Sequence, residues 1–217
     1  MVLSVRREQV RIGGLALPGE LATLAEPLGM VVFVHGSGSS RASPRNRFVA
    51  GVLHGQRLAT LLFDLLTETE AADRRNVFDI GLLARRVDEA LAWLQARPDL
   101  RVLPVGLFGA STGAAAALSA AADAPQRIHA VVSRGGRPDL AGAKLARVRA
   151  ATLLIVGGDD VEVLALNRQA MRQMSCPQRL EVVPAASHLF EEPGTLDTVA
   201  DLAARWFAEH LTRTSPP

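Results

Sequence analysis

One serine of this 217-residue chain stands in a pattern that can make a hydroxyl group a nucleophile. Ser111 is the middle residue of Gly109-Ala110-Ser111-Thr112-Gly113, between an apolar run ending at Phe108 and an alanine-rich run over residues 112–122. A serine at such a turn from strand to helix takes a strained backbone that small neighbours permit, and its Oγ stands above the sheet. The amide of Thr112 would lie at the helix N-terminus, where it can stabilise an oxyanion. The pattern predicts a nucleophilic Ser111; an ordinary glycine-rich turn is the alternative.

A carboxylate and a histidine follow in the order that suits this serine. Asp160 comes after an apolar run at residues 152–156, and His188 lies in a loop after residues 180–183. An imidazole is needed because a free serine hydroxyl is too weak an acid to ionise at neutral pH. The order Ser, Asp, His is that of α/β-hydrolases rather than of other serine hydrolase folds. Two further carboxylates compete for the acid role: Asp159 beside Asp160, and Asp139 after the apolar run over residues 128–132.

The glycine- and serine-rich segment His35-Gly36-Ser37-Gly38-Ser39-Ser40 follows another apolar run. Glycine lets the backbone approach a substrate without a Cβ clash, so the amide of Ser37 is the candidate second oxyanion donor. A dinucleotide-binding loop is the rival interpretation, but Arg41 stands where its third glycine belongs. A phosphate-binding P-loop fails as well, since no serine or threonine follows the single lysine, Lys144. The sequence therefore predicts no bound cofactor.

Four arginines are candidate substrate ligands. Arg134 and Arg137 follow the run over residues 128–132, at the edge where ligands collect in open α/β sheets. They could bind a substrate carboxylate bidentately, and solvated loop arginines are the equally open alternative. Arg41 is a weaker candidate, as is Arg45.

The elements that would position these side chains alternate between short apolar runs and helical patterns from about residue 29 onward, which is typical of a mostly parallel, doubly wound α/β sheet. Before residue 29, two short runs around Gly13-Gly14 predict an antiparallel hairpin at the sheet edge. The predicted strands are 9–12, 15–20, 30–34, 59–63, 102–108, 128–132, 152–156 and 180–183, and the predicted helices 80–94, 112–122, 164–174 and 196–211. Residues 133–151 are too few for a cap domain. We expect a single domain over residues 1–217, with edge strands in 1–28 and a frayed tail at 212–217.

Composition excludes several classes of protein. With 48% hydrophobic and 21% charged residues the chain is globular rather than disordered. The 24 Lys and Arg against 22 Asp and Glu leave a net charge of +2 without a basic cluster, so nucleic-acid binding is not predicted. The single Cys176 and the absence of a signal-like N-terminus predict a cytoplasmic protein. Residues 102–122 lack charge, but Pro104 and the glycines argue against a membrane span.

Four motifs together resemble the dienelactone hydrolase-like group of α/β-hydrolases: His35-Gly36-Ser37-Gly38, Gly109-Ala110-Ser111-Thr112-Gly113, Gly157-Gly158-Asp159-Asp160 and Ser187-His188-Leu189-Phe190. The resemblance covers about residues 29–211. It implies Ser111 as nucleophile, His188 as general base and then acid, Asp160 rather than Asp159 as the orienting carboxylate, and the amides of Ser37 and Thr112 as the oxyanion hole. Dienelactone hydrolase itself carries cysteine as its nucleophile, so serine here favours ester hydrolysis over that particular reaction.

The sequence thus predicts a serine hydrolase that acts on small carboxylic esters or lactones through an acyl-enzyme. A thioesterase, peptidase or acyltransferase on the same three residues is one alternative, and a binding module that has kept the fold without the chemistry is another. No metal site is predicted, because Asp159, Asp160 and Glu162 provide too few convergent ligands. His54, Asp64 and His129 are expected to be structural.

Overall fold

A single mixed sheet organises residues 4–211, the part of the chain that the computed structural model describes. Its strands are β1 (Val5–Ile12), β2 (Leu17–Leu24), β3 (Gly29–Val34), β4 (Leu58–Phe63), β5 (Val105–Ala110), β6 (Ile128–Arg134), β7 (Ala151–Gly157) and β8 (Gln178–Val183). Their spatial order is β1-β2-β4-β3-β5-β6-β7-β8. The pairs β1–β2 and β2–β4 are antiparallel and all others are parallel. The α/β-hydrolase arrangement with an antiparallel N-terminal edge, predicted from the sequence, is confirmed.

Helices cover both faces of this sheet. They are α1 (Pro44–Gly55), α2 (Glu68–Ala71), α3 (Arg74–Val77), α4 (Ile80–Ala96), α5 (Thr112–Asp123), α6 (Val161–Met171) and α7 (Thr195–His210). Apolar side chains of α4 and α5 pack in the core on one face, and those of α1 and α7 pack on the other. Because both faces are covered, β3 and β4 are buried along their whole length, which explains their continuous apolar sequences.

The connection from β6 to β7 contains one 3₁₀ helix, Pro138–Arg147, with a kink at Gly142 and no cap domain. The uncharged stretch at residues 102–122 is divided between β5 and α5. Within residues 4–211, no helix has the length and apolar character that crossing a bilayer requires.

Several predicted boundaries were wrong. Strand β5 starts at Val105 instead of residue 102, because Leu103 donates its amide to Leu100 in a turn and Pro104 has no amide proton to give. The two edge strands are longer than predicted, and α1 was not predicted although Ser43 as N-cap and Pro44 in the first turn are helix-start signals. The predicted frayed tail at 212–217 lies outside the described residues.

Candidate active site

Ser111 lies at a sharp turn between β5 and α5, with a positive φ of 51° and a ψ of −123°. Two residues before it and two residues after it, only glycine fits. A Cβ at Gly113 would lie 2.1 Å from the carbonyl oxygen of Val34, and a Cβ at Gly109 would lie 2.5 Å from the Cα of Ala114. The two glycines of the motif therefore let α5 pack directly against the ends of the neighbouring strands.

The strained turn is held by the end of β6. The Ser111 amide donates to the carbonyl oxygen of Arg134 (3.2 Å), and the Arg137 amide donates to the carbonyl oxygen of Ser111 (3.1 Å). A non-glycine residue at positive φ costs about 1 to 3 kcal/mol, and such contacts fix it there. Asn167 of α6 supports the same segment, because its Nδ2 donates to the carbonyl oxygen of Gly136 (2.9 Å).

The side chains of His188 and Asp160 meet where the loops after β8 and β7 converge. His188 Nδ1 lies 2.6 Å from Asp160 Oδ2. Neither competing carboxylate makes this contact: Asp159 points to solvent, and both oxygens of Asp139 accept hydrogen bonds from Arg137, at 2.9 and 2.8 Å. Of the three carboxylates considered, Asp160 is the one positioned to orient the imidazole.

The loop that carries His188 is held from several directions. A Cβ at Gly157 would lie 2.2 Å from the carbonyl oxygen of Ala186, so this glycine permits the close approach of the loop to β7. Phe190, at a positive φ of 55°, buries its ring in the core. The Ser187 amide donates to Glu192 Oε2 (3.0 Å), and this hydrogen bond lowers the pKa of the Glu192 carboxyl.

Ser111 and His188 open into one cavity of about 640 Å³, which we call the Ser111 cavity. Its walls are Gly36, Ser37, Gly38, Ser39, Ser40, Ala42, Ser43, Pro44, Arg45, Ala110, Ser111, Arg134, His188 and Leu189. The structure thus brings together Ser111, His188, Ser37 and Arg134 from the residues singled out in the sequence. The end of β6 touches the His188 loop too, since a Cβ at Gly135 would lie 3.0 Å from the carbonyl oxygen of His188.

The two amides predicted as oxyanion donors differ in their availability. Thr112 is the first residue of α5, so its amide has no partner within the helix. The Ser37 amide donates to Thr112 Oγ1 (3.0 Å) and is therefore engaged by a side chain in this structure. Gly36 lets the loop lie on the serine turn, because a Cβ there would be 2.9 Å from the carbonyl oxygen of Ala110.

His35 fixes this loop. It belongs to one of the four motifs, but the sequence predicted no role for it. The Leu65 amide donates to His35 Nε2 (3.1 Å), so Nδ1 carries the proton and donates to the carbonyl oxygen of Gly36 (3.0 Å). Burial lowers the pKa of His35 and keeps it neutral. Its position directly after β3 was the available signal. No sequence signal marked Asn167, a polar residue inside an amphipathic helix.

Three of the candidate arginines have different environments. Arg41 lies in a second cavity of about 410 Å³, which contains Asp64 and which we call the Asp64 cavity; its guanidinium contacts the Asp64 carboxylate, and its amide donates to Asp64 Oδ1 (2.7 Å). Arg137 is paired with Asp139 and does not line the Ser111 cavity. Arg134 does line it and is 7% exposed; burial, followed by repulsion from Arg45, lowers its pKa to about 10.

The remaining polar candidates lie away from this chemistry. His54 Nε2 is 2.9 Å from the hydroxyl of Thr60, and His129 is exposed. Among residues 4–211, no three His, Cys, Asp or Glu side chains are grouped as metal ligands would be.

Comparison with known proteins adds to this geometry. Residues 57–212 match the model of the dienelactone hydrolase family. The crystal structure of a dienelactone hydrolase from Anabaena variabilis ATCC 29413 is similar with a TM-score of 0.92 and 52% sequence identity, over 96% of this chain and 99% of that one. The esterase domain of a Rhodothermus marinus protein shares the fold at 17% identity, with a TM-score of 0.74 over 96% of this chain and all 100% of that one.

A longer relative also matches. A Mycobacterium tuberculosis (strain ATCC 25618 / H37Rv) protein named "putative phosphoribosyl transferase" is 56% identical over 214 residues, which are 98% of this chain and 48% of that protein. The chain therefore spans about half the length of these curated relatives.

Proposed function

The chain belongs to the dienelactone hydrolase family, and we propose that it is a serine hydrolase that cleaves small carboxylic esters or lactones through an acyl-enzyme. The observation that carries the proposal is the contact of 2.6 Å between Asp160 Oδ2 and Nδ1 of His188, a residue that lines the same cavity as Ser111. A histidine ring oriented by a carboxylate beside a strained serine is the arrangement that acyl transfer requires. The proposed reaction needs no cofactor.

In the proposed mechanism the contact with Asp160 leaves His188 Nε2 to face the serine. Ser111 Oγ attacks the substrate carbonyl carbon, its proton passes to Nε2, and the carbonyl π electrons move to the oxygen. When this intermediate collapses, the carbon–oxygen bond to the leaving alcohol breaks and the imidazolium returns the proton to that alcohol. Water then attacks the acyl carbon and gives its proton to Nε2. The bond to Ser111 Oγ breaks, the carboxylic acid leaves, and the imidazolium returns the proton to Oγ. Asp160 stays ionised throughout and stabilises the imidazolium.

The oxyanion would be bound by the amides of Thr112 and Ser37. A donor of this type contributes about 3 to 4 kcal/mol to the transition state. The Thr112 amide is available at the start of α5. The Ser37 amide must exchange the Thr112 hydroxyl for the substrate oxygen, which is a trade of a neutral acceptor for a charged one and is therefore favourable.

Fluorophosphonate labelling tests the proposed nucleophile directly. We expect one label per chain in the wild type and none in Ser111→Ala. Ser39→Ala is the matched control, because Ser39 is an exposed serine in the wall of the same cavity. Labelling that survives in Ser111→Ala would reject the assignment, and a wild type that takes no label would favour a binding module.

A substrate panel then separates the ester reaction from its neighbours. We expect p-nitrophenyl esters of short acids and simple lactones to be hydrolysed with higher kcat/KM than the matching acyl-thioesters or peptide amides. A consistent preference for thioesters or amides would support the thioesterase or peptidase alternative. Product formed only when a second alcohol is supplied would support acyl transfer.

A further inference from the structure

An arginine without a partner lines the Ser111 cavity. Arg134 ends β6 and is 7% exposed, yet within residues 4–211 its guanidinium makes no hydrogen bond or salt bridge, and its Nε is buried without an acceptor. A buried cation without a counter-charge is costly, and proteins usually pair it. Arg41 and Arg137 follow that rule, each with an aspartate. Arg134 is the exception among the candidate arginines.

The backbone fixes where Arg134 stands. It pairs with Ala110 of β5 on one side and Ile155 of β7 on the other, and its carbonyl oxygen accepts the Ser111 amide (3.2 Å). The side chain therefore cannot leave the site by loop movement. Its position next to the serine turn is built into the register of the central strands.

Further positive charge faces the same space. Arg45 lines the cavity and lies close enough to repel Arg134. Within residues 4–211 its one ionic partner is Glu191, whose side chain is 62% exposed, and its Nε is also buried without an acceptor. Ser43 and Pro44, at the N-terminus of the twelve-residue α1, form another part of the wall. A helix N-terminus carries about half a positive charge. In the described part of the chain, no residue with a carboxylate side chain lines this cavity.

The positive charge that these groups leave unbalanced is larger than the single negative charge of a carboxylate. A phosphate group carries close to two negative charges at neutral pH and presents three acceptor oxygens. Guanidinium groups bind phosphate bidentately, and helix N-termini are common phosphate sites. We propose that Arg134 and Arg45, with the N-terminus of α1, bind a phosphate group of the substrate in the Ser111 cavity; the substrate part of this inference rests on the proposed hydrolase function.

Titration calorimetry of inorganic phosphate into the Ser111→Ala protein, at constant ionic strength, tests the site without turnover. We expect saturable binding that Arg134→Met weakens by about tenfold or more and Arg134→Lys partly restores. Arg47→Met is the control, because it removes the same charge from α1 at an exposed arginine that pairs with Glu20. The inference is overturned if phosphate does not bind, if Arg47→Met weakens binding as much, or if acetate binds as tightly as phosphate.

Kinetics decide whether the phosphate belongs to the substrate. Inorganic phosphate should inhibit hydrolysis of p-nitrophenyl butyrate competitively. Two substrates carry the charge, one on the acid and one on the alcohol: p-nitrophenyl 3-phosphonopropionate is compared with p-nitrophenyl butyrate, and 2-phosphoethyl butyrate with ethyl butyrate. At least one charged substrate should have a kcat/KM about tenfold higher than that of its neutral counterpart, and this advantage should disappear in Arg134→Met. If neither does, phosphate is an inhibitor and the substrate inference fails. If the wild-type protein takes no fluorophosphonate label but phosphate still binds in the titration, the hydrolase function alone is rejected.

Discussion

Two cavities meet at the loop of residues 36–40, and they handle charge in opposite ways. In the Asp64 cavity, Arg41 is neutralised by the Asp64 carboxylate. In the Ser111 cavity, Arg134 is buried without an acid, and the partner of Arg45 lies mostly in solvent. An arginine that is paired with a carboxylate of the protein stabilises the fold, whereas a buried arginine without such a partner is available to a ligand. If the proposed function is right, the comparison separates two neighbouring pockets into a structural one and a reactive one.

The sharpest contrast is between the aspartates of the two sites. Asp160→Asn should lower kcat/KM for p-nitrophenyl esters by about ten-thousandfold, because the amide favours the wrong tautomer of His188 and cannot stabilise the imidazolium. Asp64→Asn should change it by less than about tenfold, since Asp64 contacts Arg41 and no proposed catalytic group. Both variants should be compared by steady-state kinetics.

Circular dichroism and thermal unfolding supply the control for this pair, because lost activity counts only in a folded protein. A folded Asp160→Asn enzyme with nearly normal turnover would remove the basis for the proposed triad. An Asp64→Asn enzyme as inactive as Asp160→Asn would remove the distinction between the two cavities.

Removing an arginine should change the free energy of unfolding in opposite directions in the two cavities. Arg134→Met removes a buried cation whose pKa is lowered to about 10, so the free energy of unfolding should rise by about 1 to 3 kcal/mol. Arg41→Met breaks a partly exposed ion pair and should lower that free energy by no more than about 1 kcal/mol. Urea unfolding at neutral pH without phosphate measures both. Destabilisation by Arg134→Met would mean that a contact within the fold satisfies this arginine.

The Asp64 cavity should also respond to acid through His35. Burial holds the folded-state pKa of His35 below its ordinary value of 6.5, so its stabilising effect is complete above that pH. As the pH falls below 6.5, His35 becomes protonated in the unfolded chain but stays neutral in the folded protein. Stability should then fall by at most about 1.4 kcal/mol per pH unit from this group.

His35→Gln provides the comparison, because glutamine can still accept the Leu65 amide but does not titrate. Unfolding midpoints in urea at about pH 7.5 and about pH 5.5 should differ less in this variant than in the wild type. His54→Gln should remove a separate part of the difference, since burial lowers the pKa of His54 as well. An unchanged difference in His35→Gln would show that another group titrates.

The sequence carried more information about the Ser111 cavity than about the Asp64 cavity. Short-range signals marked the turn at Ser111, because strand, glycines and alanine-rich helix are contiguous in the chain. The contact between Asp160 and His188 required two loops to converge, and order along the chain indicated it only through the resemblance to known hydrolases. Both were proposed from the sequence, and the structure places His188 Nδ1 2.6 Å from Asp160 Oδ2.

Charge pairing could not be predicted in the same way. The sequence favoured Arg134 and Arg137 over Arg41 as substrate ligands, although only the fold decides which of them meets a carboxylate. Arg137 pairs with Asp139 two positions away, whereas Arg41 pairs with Asp64 from another strand end. The link from Ser37 to the Thr112 hydroxyl joins residues 75 positions apart and had no sequence signal.

The smallest predicted effect concerns that link, which lies on the border between the two cavities. Thr112→Val keeps the shape of the side chain but removes the acceptor that occupies the Ser37 amide. If the amide binds the oxyanion, the transition state no longer has to displace the hydroxyl, and kcat/KM should rise by up to about fivefold, equivalent to about 1 kcal/mol. Thr112→Ser keeps the acceptor and should match the wild type. A tenfold fall in Thr112→Val would contradict competition and identify the hydroxyl as a positioning group that holds the loop in its active form.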